Sequence, residues 1–266
     1  MGFISPMKIK HIIYPLGIFL SAFLIACSAT PEKTIEQTSI ETPIKVSSTL
    51  VGMTVLMIGD SHMASKGYLI TSLHDELMQQ GAKVYSYGAC GTLAGDWMKT
   101  TESPCGAAFR LNEEPIHLLA GEAAATAPLP DLIKKYHPDL IVVINGDTMA
   151  AYKSTVLPRP WISREVTTLT NGIRANGASC VWVGPAWGNE GGKNGKNFPR
   201  VKVMSDFLAE NVAPCIYINS LKMSKPGEWP TQSGDGQHFT RAGYQSWGRA
   251  IAKEIVSSEI LQKIKH

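Results

Sequence analysis

Two short motifs at opposite ends of the chain carry the residue types that covalent catalysis needs. In the first, the β-favouring run Val55-Leu56-Met57-Ile58 ends abruptly in Gly59-Asp60-Ser61, with His62 and a helix-like segment behind it. A buried strand that delivers a serine into a tight turn before a helix exposes the hydroxyl at the carboxyl edge of a sheet. Backbone N–H groups at the helix start can receive a developing oxyanion there. The same serine could instead be a helix N-cap, and this octapeptide does not separate the two. The second motif is Gly234-Asp235-Gly236-Gln237-His238-Phe239-Thr240. A serine nucleophile needs a base within hydrogen-bond reach, and that base needs an acceptor to hold its tautomer. Asp235 and His238, three residues apart in a glycine-bearing turn, can supply the acceptor and the base.

As a pair, Gly59-Asp60-Ser61 and Asp235-Gly236-Gln237-His238 resemble the signatures of the SGNH/GDSL hydrolase superfamily, over about residues 53–255. The resemblance implies that Ser61 is the nucleophile, His238 the general base and acid, and Asp235 the residue that orients His238. It also implies an oxyanion hole built from the backbone N–H of Ser61, the N–H of a glycine after the second strand, and an asparagine side chain. The glycine corresponds best to Gly91, with Gly88 as the alternative. The asparagine is where this chain departs: the family has Gly-x-Asn-Asp, and the same place reads Asn145-Gly146-Asp147-Thr148. Matching Gly146 to the family glycine puts Thr148 in the asparagine's place. Asn145 is the preferred donor from the neighbouring position, because only an amide N–H₂ is an unambiguous donor, and Asp147 would be a poor one unless protonated. Two further residues are expected at the substrate: His62, directly after the nucleophile, and Trp187, just past a strand end. A surface histidine at a helix start is the alternative for His62. Trp97, Trp182 and Trp229 complete the candidates for a sugar-stacking platform, although Trp182 lies within a strand and reads as core.

The elements that must position these residues alternate at α/β spacing. Strands are expected at Thr54–Ile58, Val84–Tyr87, Leu140–Ile144, Ser179–Val183 and Cys215–Ile218. Helices are expected at Tyr68–Gln80, with Gly81 as its C-cap, and at Leu129–Tyr136, Trp161–Asn176, Arg200–Asn211 and Thr240–Ile264. The stretch 92–130 has no clear period and reads as an irregular, substrate-facing excursion. The Gly/Asn/Lys-rich stretch 188–197 reads as a mobile surface loop. The expected fold is α/β: a three-layer α/β/α sandwich with a central, mainly parallel five-stranded sheet, the flavodoxin-like fold of the SGNH hydrolases. In such a sheet the polar strand ends gather on one edge.

Ahead of this domain, Lys8, Lys10 and His11 flank the apolar run Ile12–Ile25, which closes in Leu24-Ile25-Ala26-Cys27. That ending resembles the lipobox of bacterial lipoproteins, which implies cleavage before Cys27 and lipid on its thiol; a plain transmembrane anchor is the other reading. The expected organisation is a signal peptide over 1–26, a lipidated Cys27 with a flexible tether to 49, and the hydrolase domain over 50–266. Ser28 after the cysteine favours the outer membrane, facing the periplasm. Of five cysteines, the four beyond Cys27 suit an oxidising compartment. Their order suggests Cys90 with Cys105 and Cys180 with Cys215, with three connectivities open. The net charge of +3 over 266 residues is mild and there is no Lys/Arg cluster of nucleic-acid type. Without a Cys-x-x-Cys, a Gly-x-Gly-x-x-Gly after a strand or a P-loop, neither a metal nor a nucleotide cofactor is indicated.

The expected activity is therefore serine-dependent hydrolysis of a carboxylic ester through an acyl-enzyme. By compartment and family analogy its substrate is an O-acetyl group on cell-envelope polysaccharide or peptidoglycan, acted on by a monomer. An O-acetyltransferase would use the same triad, and a non-catalytic carbohydrate-binding lipoprotein would keep only the fold.

Overall fold

A computed structural model describes residues 49–264. Seven strands form one sheet: β1 Thr54–Gly59, β2 Lys83–Ala89, β3 Ala107–Leu111, β4 His117–Leu119, β5 Leu140–Ile144, β6 Ser179–Val183 and β7 Ile216–Ile218. Their spatial order is β4-β3-β2-β1-β5-β6-β7. The five expected strands are β1, β2, β5, β6 and β7, and all their pairings are parallel. The two further strands add antiparallel edges, β3 on β2 and β4 on β3. They come from the stretch read as an irregular excursion. Five and three residues long, and rich in alanine where they are buried, they are too short to display a strand period.

Helices α1 Leu69–Gln79, α2 Leu129–Tyr136, α3 Arg159–Ala175, α4 Phe198–Asn211, α5 Arg241–Ile255 and α6 Ser258–Ile264 cover the sheet. Alternation along β1 shows how. Val55 and Met57 pack with Leu73 of α1 and Trp247 and Ile251 of α5. Leu56 and Ile58 pack with Ile133 of α2, Val166 of α3 and Leu208 of α4. Strands buried on both faces read as unbroken apolar runs, and each such side chain contributes about 1.5–3 kcal/mol on burial.

The expected C-terminal helix is two. The chain breaks at Val256 and Ser257, and the Ser257 carbonyl accepts the Leu261 N–H at 3.0 Å as α6 starts. After the break, Ile260, Leu261 and Ile264 are buried on the α1–α5 side of the core. The segment 1–26, Cys27 and its tether lie outside the described residues. Among the described residues no helix is long and apolar enough to cross a membrane.

The register brings the functional strand ends level: Gly59 of β1 stands opposite Gly88 of β2 and Ile144 of β5. Gly88 must lack a side chain, because a Cβ there would lie 2.3 Å from the Met63 carbonyl. The turn carrying Ser61 thus sits directly on β2.

Candidate active site

After β1 the chain enters a 3₁₀ turn, Ser61–Met63, capped by Asp60, whose Oδ1 accepts the His62 N–H at 3.1 Å. Burial drives the Asp60 carboxyl above the ordinary carboxylate range, against the opposing pull of His62. Ser61, 7% exposed, places its Oγ 2.7 Å from His238 Nε2, across 177 residues of sequence. On the far side of the ring, His238 Nδ1 lies 2.9 and 3.0 Å from the two Asp235 oxygens. The turn that bears them is wound tightly around the carboxylate: Asp235 Oδ1 also accepts the N–H groups of Gln237 at 3.0 Å and His238 at 2.7 Å. Tyr68 stacks on the His238 ring, with centroids 5.9 Å apart.

Electrostatics suit proton transfer. Burial lowers the His238 pKa below the ordinary histidine value and the His62 ring adds to this, while Asp235 pulls it back up; the imidazole is neutral and able to accept a proton near neutrality. Burial also raises the Asp235 pKa, but the Lys193 ammonium at 2.7 Å and the His238 N–H groups outweigh it and hold the carboxyl well below its usual range. Asp235 thus stays ionised and fixes the Nδ1–H tautomer of His238.

The serine and histidine open on a cleft of about 650 Å³. Gly91 and Thr148 stand on its walls, with Tyr152, Lys153, Lys193 and Gln237. Gly91 takes a left-handed φ of 80° beside the Cys90–Cys105 disulfide. Gly88, the alternative, is spent on the Met63 contact. Both expected disulfides form, the second joining Cys180 and Cys215.

Three expected site residues face elsewhere. Asn145 is buried, its Nδ2 donates to the Thr92 carbonyl at 3.1 Å, and its own backbone carbonyl accepts the Trp182 Nε1–H at 2.7 Å. Its amide braces the loop after β2 instead of lining the cleft, and Thr148 takes the wall position. His62 is 2% exposed, with Nδ1 2.9 Å from the Tyr244 hydroxyl and Nε2 2.8 Å from Asp147 Oδ2, which hold it inside, behind the cleft lining. Trp187 is half-buried, donates to the Leu221 carbonyl at 3.0 Å, meets Phe198 edge-on and is not among the residues that line the cleft. Trp97, Trp182 and Trp229 are buried in the core.

Sequence reasoning also missed what stretch 188–197 does. It lies against the triad turn, with Asn189 N donating to Gly236 O at 2.8 Å and Lys193 N to Gly234 O at 3.0 Å. Gly192 has a φ of 67°, and a Cβ there would sit 2.2 Å from the Asp235 carbonyl. Lys196 is 1% exposed and binds both oxygens of Asp147, at 2.9 and 3.0 Å. Of the glycines in this stretch, Gly188 and Gly192 are required by close packing against the Asp235–Gly236 backbone. A lysine among glycines gives no sequence signal of burial.

A serine at the carboxyl edge of the central strand, relayed through histidine to aspartate, on a mostly parallel sheet with helices on both faces, defines the SGNH/GDSL hydrolase fold. Solved structures of that kind agree. One is a protein from Slackia heliotrinireducens assigned to the SGNH hydrolases (TM-score 0.52, 17% identity, 76% of this chain and 97% of that one). Another is an active-site mutant of a family two carbohydrate esterase from Clostridium thermocellum (TM-score 0.50, 14% identity, 77% of this chain and 63% of that one). No protein-family profile matches the chain. Protein BcsX of Komagataeibacter xylinus is 39% identical over 222 residues, 83% of this chain and 82% of that protein, and the chain belongs to the BcsX family.

Proposed function

We propose that the protein is a serine esterase that removes short acyl groups, acetyl foremost, from a hydrophilic carrier such as an envelope polysaccharide. The observation that carries the proposal is the continuous relay from Ser61 Oγ to His238 Nε2, and from Nδ1 to Asp235, opening on a solvent-reachable cleft. Ser61 Oγ attacks the ester carbonyl carbon as His238 Nε2 takes the hydroxyl proton. The tetrahedral oxyanion is held by the Ser61 and Gly91 N–H groups and the Thr148 hydroxyl. Collapse breaks the carbon–oxygen bond, and His238 returns its proton to the departing alcohol. Water then repeats the sequence on the acyl-enzyme, releasing the acid and restoring Ser61.

Thr148, Lys153, Lys193 and Gln237 place hydrogen-bonding groups on a cleft whose lining is otherwise largely apolar, which suits a small apolar acyl group on a hydrated carrier. The carbohydrate esterase named above supports the same substrate class by analogy of fold. The envelope setting rests on the lipobox-like sequence ending at Cys27. In the test, protein lacking its first 27 residues is given p-nitrophenyl acetate and p-nitrophenyl octanoate without any acceptor. Ser61-dependent turnover that favours acetate is expected. Equal rates for wild type and Ser61→Ala would refute the esterase, and turnover only on adding a sugar acceptor would make the protein an acyltransferase.

A further inference from the structure

The cleft floor holds a charge pair that folding alone does not call for. Lys196 is, among the described residues, the only lysine or arginine that is buried, and its Nζ lies on both oxygens of the equally buried Asp147. Burying such a pair costs desolvation that apolar side chains of similar volume avoid, so its presence points to another use. Asp147 directly precedes Thr148 and itself lines the cleft. Asp60, a second buried carboxyl, directly precedes Ser61. The tetrahedral intermediate adds a further negative charge beside Asp147, where water screens poorly.

The other groups facing Asp147 are His62 from the Ser61 turn and Tyr152 from the loop after β5, each hydrogen-bonded to it. Beyond His62 lie the Tyr244 hydroxyl of α5 and the His238 ring, the latter 5.2 Å away between centroids. Arg200 of α4 is spent on the carbonyls of Ala150, Ala151 and Ser154. Among the described residues, Lys196 is thus the only lysine or arginine set on Asp147. Burial raises the Asp147 pKa, and Lys196, ahead of His62 and Tyr152, overrides this and keeps the carboxyl ionised.

We propose that Lys196 is a positioning residue for ester hydrolysis: its ammonium neutralises Asp147, so that the oxyanion forms beside a closed ion pair and not beside a bare carboxylate. This rests on the esterase reading of Ser61. A chain lacking the ammonium has either a carboxylate that repels the oxyanion or a carboxyl that must first be protonated. Its activity loss should therefore shrink as pH falls.

The experiment compares kcat and KM from pH 6 to 9 for wild type, Lys196→Met, Asp147→Asn and Asp147→Asn/Lys196→Met, with Ser61→Ala as the floor. Lys196→Met is expected to lose about 100-fold in kcat at pH 8, with KM within about threefold of wild type and a smaller loss at pH 6. The double variant, which has no charge to cancel, is expected to regain at least about tenfold of that loss. If Lys196→Met does not fold, the double variant is compared with wild type directly, and its kcat should lie within about tenfold. A folded double variant no better than Lys196→Met, or about 100-fold below wild type, overturns the proposal. So does an Asp147→Asn enzyme reduced to the Ser61→Ala floor, which would give Asp147 a direct part in the chemistry. Wild-type activity that survives Ser61→Ala would instead defeat the esterase reading, so the two failures are distinguishable.

Discussion

Thr148→Val tests the third wall of the oxyanion hole, where this chain departs from the Gly-x-Asn-Asp pattern. Valine keeps the shape and removes the only side-chain donor that Thr148 offers. In the resting site the hydroxyl sits 3.4 Å from both Asp60 Oδ2 and Asn145 Oδ1. Contacts that long are weak, so the hydroxyl can turn to an oxyanion at little cost. Losing one such donor typically costs about 2.7–4 kcal/mol of transition-state stabilisation. Part of that is offset by the contacts Thr148 gives up, which places the expected kcat loss near the lower end, about 100-fold, with KM almost unchanged. Asn145→Ala should behave differently. It strips the Thr92 carbonyl of its donor in a buried place, at a cost of about 1–3 kcal/mol in stability. For a domain of this size that is a fall in Tm of about 2–4 °C per kcal/mol, with a smaller effect on kcat. Steady-state kinetics on p-nitrophenyl acetate and thermal melting of both variants read the contrast. Wild-type kcat in Thr148→Val, together with a large kcat loss at unchanged Tm in Asn145→Ala, would refute the reasoning and return the donor role to Asn145.

Two further outcomes follow from the site. His238 works as a base only when neutral, and its pKa lies below the ordinary histidine value, so the acid limb of kcat/KM should fall at a lower pH than an ordinary histidine would give. Lys193→Met removes the cation on Asp235, strengthens the hold of Asp235 on a protonated His238, and should move that limb to higher pH; an unmoved or lowered limb would contradict the coupling. Because the Lys193 side chain is 66% exposed, added salt should reproduce part of the shift in wild type. The disulfides should divide their effects. Cys90 and Cys105 line the cleft beside Gly91, so replacing both with alanine should lower kcat about tenfold as one hole donor loosens. Replacing Cys180 and Cys215, which are 35 residues apart and lie beyond the cleft lining, should cost about 3–4 kcal/mol of stability and leave the kcat of the folded enzyme unchanged. Denaturant melts and kinetics on the two double variants check this, and equal kcat in both would refute the division.

Much of this protein was legible in local physics. Apolar runs bounded by Gly-Asp-Ser and by Asn-Gly-Asp-Thr read as strands ending in polar turns because a strand buried on both faces can hold little else. Helix α2 and strands β5 and β6 fall on the expected residues because burial and backbone preference agree along them. The hydrogen-bonded series Ser61–His238–Asp235 was legible because the expected chemistry demands a serine, a histidine and a carboxylate, and Asp235 and His238 share one turn. The edge hairpin β3–β4 was not, since strands of five and three residues have no period to read.

What only the tertiary structure decided is which side chain meets which. That Thr148 and not Asn145 reaches the cleft depends on the Thr92 carbonyl, which comes from another loop and claims the amide. That His62 turns inward depends on Asp147 and Tyr244, the latter 182 residues away. Trp187 is held by the Leu221 carbonyl, and Lys196 is drawn inside by a carboxylate 49 residues distant. A polar side chain takes the partner that satisfies it when water is gone, and that partner is set by packing between elements, not by neighbours in sequence. The residue types in Gly59-Asp60-Ser61 and Asp235-Gly236-Gln237-His238 pointed to the chemistry; the packing around them decided that Thr148 lines the cleft and that Lys196 and Asp147 pair beside it.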